Sequence, residues 1–235
     1  MTRHLASFAT ASFLAAVGAA VSPALAADAA HPVVVELFQS QGCSSCPPAN
    51  ANVSAIADRP DVLALSFGVT YWDNLGWKDT FATPQYTARQ WDYAHGFGHD
   101  NVFTPQVVIN GRRDGVGVDR SELRSLLVAG DRGDSGPAVS IRAGQVTIAA
   151  GPARKAADVW LVRYDPRIVQ VPIKRGENGG RTLPHKNIVR ELTRLGRWSG
   201  SAETLAIPRA ADPVLRTAIL VQNPGGGPIL AAAKG

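Results

Sequence analysis

The stretch Val33–Pro48, VVVELFQSQGCSSCPP, constrains the chain more than any other. It opens on Val33-Val34-Val35, continued by Leu37 and Phe38, a β-branched and apolar run that suits a buried strand. The polar loop Gln39-Ser40-Gln41-Gly42 leads to Cys43-Ser44-Ser45-Cys46, two prolines follow, and Ala49 to Asp58 reads as helix. A C-x-x-C pair between a buried strand and a helix is a redox arrangement, because thiolates gain from the free amides of a helix N-terminus. Cys43 and Cys46 are the only cysteines in the sequence. They form either a working dithiol/disulfide pair or a permanent disulfide that braces a loop, and both readings stand at this point.

The first 26 residues read as a signal peptide rather than as part of a fold. Arg3 and His4 give a positive start, Phe8 to Val21 is apolar and small, and Ala24-Leu25-Ala26 is a cleavage pattern. The apolar core is too short for a spanning helix, and no later run is long enough to cross a membrane. The expectation is an exported protein, periplasmic or extracellular, starting at Ala27 in a compartment where disulfides persist.

A hydrophobic content of 45% and a charged content of 18% describe an ordinary folded protein. The charges are unevenly placed. Residues 27–135 carry 8 Lys/Arg against 13 Asp/Glu, whereas residues 136–235 carry 15 against 6. The step falls at the breaker cluster Gly130 to Pro137 and predicts two domains, 27–135 and 136–235. Their opposite charges suggest that the basic half packs on the acidic half and leaves the cysteine face open.

In the first half, Val62 to Val69 is a second strand-length apolar run. An aromatic-dense insertion follows at about 70–102, with Thr83 to Ala94 helical and Pro84 in its first turn. Phe103-Thr104-Pro105 announces a third strand, Gln106 to Ile109, and Asn110-Gly111 signals a hairpin. Asp119-Arg120-Ser121-Glu122 looks like a capped helix start with Leu123, Leu126 and Leu127 as its buried stripe.

This order, with C-x-x-C after the first strand and Thr-Pro before the hairpin, resembles the thioredoxin-like superfamily over roughly residues 31–130. The resemblance implies a cis Thr104-Pro105 peptide lying beside the cysteines and presenting backbone to a substrate. Gln41–Pro48, Tyr-Trp-Asp-x-Leu-Gly-Trp at 71–77, Thr104–Gly111 and Arg-Gly-Glu-Asn at 175–178 more narrowly resemble a family of exported bacterial proteins of unknown function. Ordinary thioredoxins carry a bulky aromatic where this chain has Gly42. They also carry a buried acid on the first strand, which makes Glu36 a candidate acid/base group, although the loop to Cys43 is one residue longer here. If strand alternation turns Glu36 to solvent it is a surface residue.

Trp72 and Trp77 are candidates to line a substrate groove, because aromatic rings are enriched where proteins bind partners. The same rings could instead bury the insertion against the sheet. Pro47 and Pro48 suggest a helix that starts only after Cys46, leaving Cys43 the more exposed thiol. With His95, His99 and His185 the cysteines could also hold copper, although no second C-x-x-C and no H-E-x-x-H motif is present.

The second half reads mostly as strands. Residues 138–142 and 145–149 flank an Ala143-Gly144 hairpin, and 158–164, 168–173 and 216–222 follow the same pattern. Asn187 to Leu195 reads as a strand ending in a Leu195-Gly196 turn, and Gly176 to Arg181 reads as a turn, since it lacks the ending of a phosphate loop. The predicted fold class is therefore an α/β thioredoxin-like domain, a central mixed sheet with flanking helices, plus a C-terminal all-β sandwich-like domain. The predicted function is an exported thiol–disulfide oxidoreductase using Cys43 and Cys46, with Glu36 assisting and Thr104, Pro105, Trp72 and Trp77 on the substrate side. It needs no cofactor and takes a protein or small-molecule thiol or disulfide. A secreted binding protein with a structural disulfide and a copper carrier are the alternatives. Nucleic acid is excluded by the lack of clustered aromatic-basic motifs.

Overall fold

A computed structural model describes Met1 and residues 27–235, so the expected leader lies outside the described residues. β1 (Val33–Gln39) and β2 (Val62–Gly68) are buried along their whole length. They pair in parallel from Val33 opposite Val62 to Gln39 opposite Gly68, and α1 (Cys46–Ile56) makes the crossover between them. β3 (Gln106–Ile109) adds antiparallel to the other edge of β1, and β4 (Arg113–Gly115) completes a hairpin with it. The loop is three residues long, with Ile109 opposite Arg113, rather than the expected two. Asn110 and Gly111 hold φ of 48° and 60°, the left-handed turn that Asn-Gly tolerates, and Arg112 N donates to Ile109 O at 2.9 Å.

Two further helices start where local chemistry places them. α2 (Pro84–Phe97) is capped by Thr83, whose hydroxyl accepts from Tyr86 N, and it has a proline in its first turn. α3 (Arg120–Gly130) is capped by Asp119, which accepts from the amides of Ser121 and Glu122. Pro47 and Pro48 do not delay α1. Ser45 is its N-cap and Cys46 its first residue, because the first turn has no amide bonds for prolines to break.

The second half adds strands only: β5 (Val139–Arg142), β6 (Gln145–Ile148), β7 (Ala157–Asp165), β8 (Val169–Pro172) and β9 (Thr182–His185). Then come β10 (Ile188–Trp198), β11 (Glu203–Ala206), β12 (Arg216–Gln222) and β13 (Ile229–Lys234). No turn forms at Leu195-Gly196. β10 runs on to Trp198 and absorbs the glycine as a register shift between Arg194 and Gly196. The pull comes from Trp198, which is fully buried with its indole N–H donating to Ala149 O at 3.2 Å.

The charge step at 130–137 is not a break in the sheet. One eight-stranded sheet runs β13-β12-β7-β10-β2-β1-β3-β4 through both halves. The seam is β10 beside β2, where Ser66 N donates to Asn187 O at 2.9 Å and Asn187 Nδ2 donates to Ala64 O at 2.8 Å. On one face a common apolar layer joins Val34, Phe38 and Phe67 to Tyr86 and Tyr93 of α2 and to Val162, Val189 and Leu220 of the second half. On the other face α1 and α3 cover β1 and β3, while the small sheet β11-β6-β5 closes over β7 and β12. Backbone pairing and apolar burial, rather than the opposite charges, join the halves.

Candidate functional site

Cys43 and Cys46 are joined as a disulfide, Cα to Cα 5.4 Å. The loop that carries them leaves the end of β1, and Cys46 N donates to Cys43 O at 3.2 Å as the chain turns into α1. Thr104-Pro105, just ahead of β3, is a cis peptide. It lies against the pair: Thr104 Oγ1 is 3.4 Å from Cys43 Sγ and Ser45 Oγ donates to Thr104 O at 3.4 Å. Trp72 Nε1 donates to the same Thr104 hydroxyl at 2.7 Å, so the hydroxyl proton is left free to point at sulfur. A Cβ on Gly42 would meet Trp72 Cβ at 3.4 Å. Trp72 thus occupies the space that a bulky residue before the first cysteine would need.

Trp77 stands one link further out. Its indole N–H donates to Gln41 Oε1 at 2.9 Å, and its ring packs with Val171, Ile173 and Leu183. Glu36 is not with the cysteines. Alternation along β1 puts Val33, Val35 and Leu37 under α1 and α3, and turns Val34, Glu36 and Phe38 to the α2 face. There the fully buried Glu36 accepts from Arg89 Nε at 2.7 Å and Arg89 Nη2 at 3.1 Å, and from the Tyr93 hydroxyl. Arg89 Nη2 also donates to Gln222 Oε1 of β12 at 2.9 Å. Glu36 is therefore neither a surface residue nor an acid/base group at sulfur. It is half of a structural ion pair on the opposite face from α1.

The exposure expected for Cys43 is also overturned. Cys43 is 0% exposed and Cys46 2%. The 175–180 turn of the second half closes on the backbone of the cysteine loop. Asn178, itself fully buried, donates from Nδ2 to Gln41 O at 3.0 Å and to Cys43 O at 2.9 Å. Glu177 accepts from Ser44 N at 3.0 Å, and that hydrogen bonding holds its carboxyl below the usual range. Gly176, with φ of 75°, lets the turn nest against Leu75 O, which a Cβ there would meet at 3.1 Å. The basic half does not leave the cysteine face open.

Two groups beside the loop carry no motif to announce them. Asp79 is 1% exposed and accepts from Gln41 N and Phe81 N, each at 2.7 Å. Burial pushes its pKa up to about 6. His185 is 1% exposed, and burial pushes its pKa down to about 4. A carboxylate two residues past Trp77 and a lone histidine in a strand have no periodicity that marks them as buried. Among the described residues no group of three or more His, Cys, Asp or Glu is placed to hold a metal ion, and no helix is long and apolar enough to cross a membrane.

No curated protein matches the sequence significantly. Among solved structures, the chain is similar to the protein AGR_C_4864 from Agrobacterium tumefaciens, at 30% identity and a TM-score of 0.72, over 91% of this chain and 95% of that one. It also resembles HBP35 of Porphyromonas gingivalis in fold alone, at 13% identity and a TM-score of 0.60, over 87% of this chain and 74% of that one. The profile of a family of proteins of unknown function, DUF1223, matches residues 34–222, and on that match the chain belongs to this family.

Proposed function

We propose that this protein is an exported thiol–disulfide oxidoreductase built on a thioredoxin-like unit, with the 136–235 half a β sandwich that extends its sheet and covers its site. The observation that carries the reading is the Thr104 hydroxyl placed 3.4 Å from Cys43 Sγ, opposite the helix that begins at Cys46. A hydrogen bond to sulfur and the free amides of a helix N-terminus both favour a thiolate over a thiol. The neighbouring strand order β2-β1-β3-β4 and the Thr104-Pro105 peptide beside the pair support the thioredoxin-like assignment.

In the reduced protein the Cys43 thiolate attacks a substrate disulfide. A Cys43–substrate bond forms, and the other substrate sulfur leaves as a thiolate. Cys46 then attacks Cys43 Sγ, restores the internal disulfide and releases the second substrate thiolate. Two electrons pass from protein to substrate, and the reverse sequence oxidises a dithiol. Because Cys43 and Cys46 are both buried and Asn178 and Glu177 clamp the backbone of the loop that carries them, a substrate disulfide reaches Cys43 only after this loop and the 175–180 turn separate.

That same burial favours a second reading, a disulfide that permanently braces the loop of a binding protein. Cys46→Ser and Cys43→Ser, expressed in the native compartment and trapped with acid, separate the two. The oxidoreductase reading expects mixed disulfides through Cys43 in Cys46→Ser and far fewer in Cys43→Ser. No adducts in either, with a reduction potential below about −300 mV, is the outcome of a brace.

A further inference from the structure

The segment that closes on the cysteine loop presents a basic surface. Lys174, Arg175 and Arg181 lie on it, and Lys78 follows Trp77, whose Cβ is 3.4 Å from where a Cβ on Gly176 would stand. All four are exposed, and none is in an ion pair among the described residues. The acids nearby are engaged. Asp73 accepts from Asp79 N at 3.1 Å, and Asp79 is buried on the amides of Gln41 and Phe81. Leu75, whose carbonyl faces Gly176, adds an apolar side chain that is 53% exposed. In two contacts of the closed turn, this chain supplies its own oxygen to a group that binds carboxylates. Glu177 accepts from Ser44 N at 3.0 Å, and Asn178 Oδ1 accepts from Arg181 Nη1 at 2.6 Å. The base of the turn is tied, Ile173 N donating to Arg181 O and Gly180 N to Ile173 O, each at 2.8 Å. The tip, Glu177-Asn178, can part from the loop with this base in place, which frees Ser44 N and an Arg181 donor.

We propose that this surface binds acidic polypeptides, which are the substrates of the Cys43–Cys46 pair. Their carboxylates take Ser44 N from Glu177 and pair with Lys174, Arg175 and Arg181. The substrate assignment rests on the oxidoreductase reading and names its substrate class. A ligand shifts an equilibrium only by binding one state better than the other. The closed turn fills Ser44 N and Arg181 Nη1 with Glu177 and Asn178, so a carboxylate binds the open form better and draws the turn off the disulfide. Hydrogen bonds from a guanidinium or a backbone amide to a carboxylate are the strong kind. Cations on two loops with Leu75 beside them match several acids and an apolar side chain on one ligand, the chemistry of a polypeptide.

The test follows reduction of oxidised peptides by the reduced mature protein, which passes two electrons to the peptide disulfide and is left with Cys43 and Cys46 joined. The peptides share Cys-Gly-Gly-Cys and carry Leu-Glu-Asp, Leu-Gln-Asn or Leu-Lys-Arg on each side. The acidic peptide is expected to react at least about tenfold faster than the neutral one at ~0.05 M salt, and within about twofold of it at ~0.5 M, where the charges are screened. The double variant Lys174→Glu/Arg175→Glu should abolish or reverse that order. A second readout needs no exchange. The acidic peptide with serines for cysteines should shift the Ser44 amide NMR signal of the oxidised protein saturably, and bind about fivefold tighter to Glu177→Gln, whose internal competitor is weaker. Binding without exchange of any peptide would overturn the oxidoreductase reading and support the acidic-polypeptide surface. Equal exchange with all the peptides would keep that reading and overturn the proposal. No saturable Ser44 shift, unchanged affinity in Glu177→Gln, or oxidised glutathione reacting as fast as the acidic peptide would also overturn it.

Discussion

The ion pair between Glu36 and Arg89 offers the sharpest measurement of what fixes α2 to the sheet, with Gln222 linking the pair to the second half. Arg89 on α2 reaches Glu36 on β1 by two hydrogen bonds, Gln222 on β12 by a third and the Tyr93 hydroxyl by a fourth at 3.1 Å. Burial alone would drain its charge, but Glu36 and Tyr93 beside it hold its pKa above the ordinary value. Glu36→Leu leaves a buried guanidinium with only neutral partners, and breaking a buried pair from one side costs about 3–5 kcal/mol. Against a total stability of roughly 5–15 kcal/mol that is a large fraction. For a chain of this size it corresponds to roughly 6–20 °C in Tm. The double variant Glu36→Leu/Arg89→Met removes both charges and should recover most of the loss, because well-packed apolar replacements of buried pairs are often neutral. Urea unfolding of the four proteins with the disulfide intact gives the cycle. A single variant within about 1 kcal/mol of wild type, or a double variant as unstable as the sum of the singles, would refute the reasoning. Glu36→Gln should also shift the Cys43–Cys46 potential by less than about 30 mV, the equivalent of ~1.4 kcal/mol, since Glu36 lies on the other face of the sheet.

Asn178→Ala removes both donors from Gln41 O and Cys43 O, which destabilises the closed turn by about 1–3 kcal/mol, so reduction by dithiothreitol should quicken roughly 5- to 150-fold; an unchanged rate would mean that the turn does not gate the disulfide. His185 and Asp79 pull stability in opposite directions with pH. The unfolded chain protonates His185 near pH 6.5 but the folded one only near 4, so stability is lost as pH falls through that window, by roughly 3 kcal/mol. Asp79 keeps its proton up to about 6 in the fold but only to 3.8 unfolded, so its contribution falls as pH rises, by a similar ~3 kcal/mol. Asp79→Asn should therefore expose the histidine as a steep loss of stability between pH 6.5 and 4, and a flat profile in that variant would contradict the assignment. Cleavage within 131–137 should leave two fragments that co-elute and unfold together, because the eight-stranded sheet spans the cut; separation into two folded units would count against a shared core.

Local chemistry was readable residue by residue. Three β-branched and apolar runs became β1, β2 and β3, Asn110-Gly111 became a hairpin, and Thr83 and Asp119 became caps. Each of these depends on neighbours within a few positions, and the side chain itself states the preference. The placement of Thr104 at Cys43 was also legible, through the C-x-x-C and Thr-Pro pattern taken together. β9, β11 and β13 were not. β13 is Ile-Leu-Ala-Ala-Ala-Lys, whose alanines have no strand preference, and only pairing with the apolar β12 makes it a strand.

The site's cover was decided entirely by tertiary structure. Residues 176–181 read as a turn, and the 137 positions between Gln41 and Asn178 hide that the amide of one closes on the carbonyl of the other. Composition misled at the same place: the charge step at 130–137 invites two bodies, but charges that water screens carry less weight than an unpaired sheet edge and an apolar face that must be buried. Glu36 shows the same limit from inside a strand. Its sequence position says that it shares a face with Val34 and Phe38, and that it must find a partner if buried. Only the packing of α2 shows that the partner is Arg89 and not the disulfide.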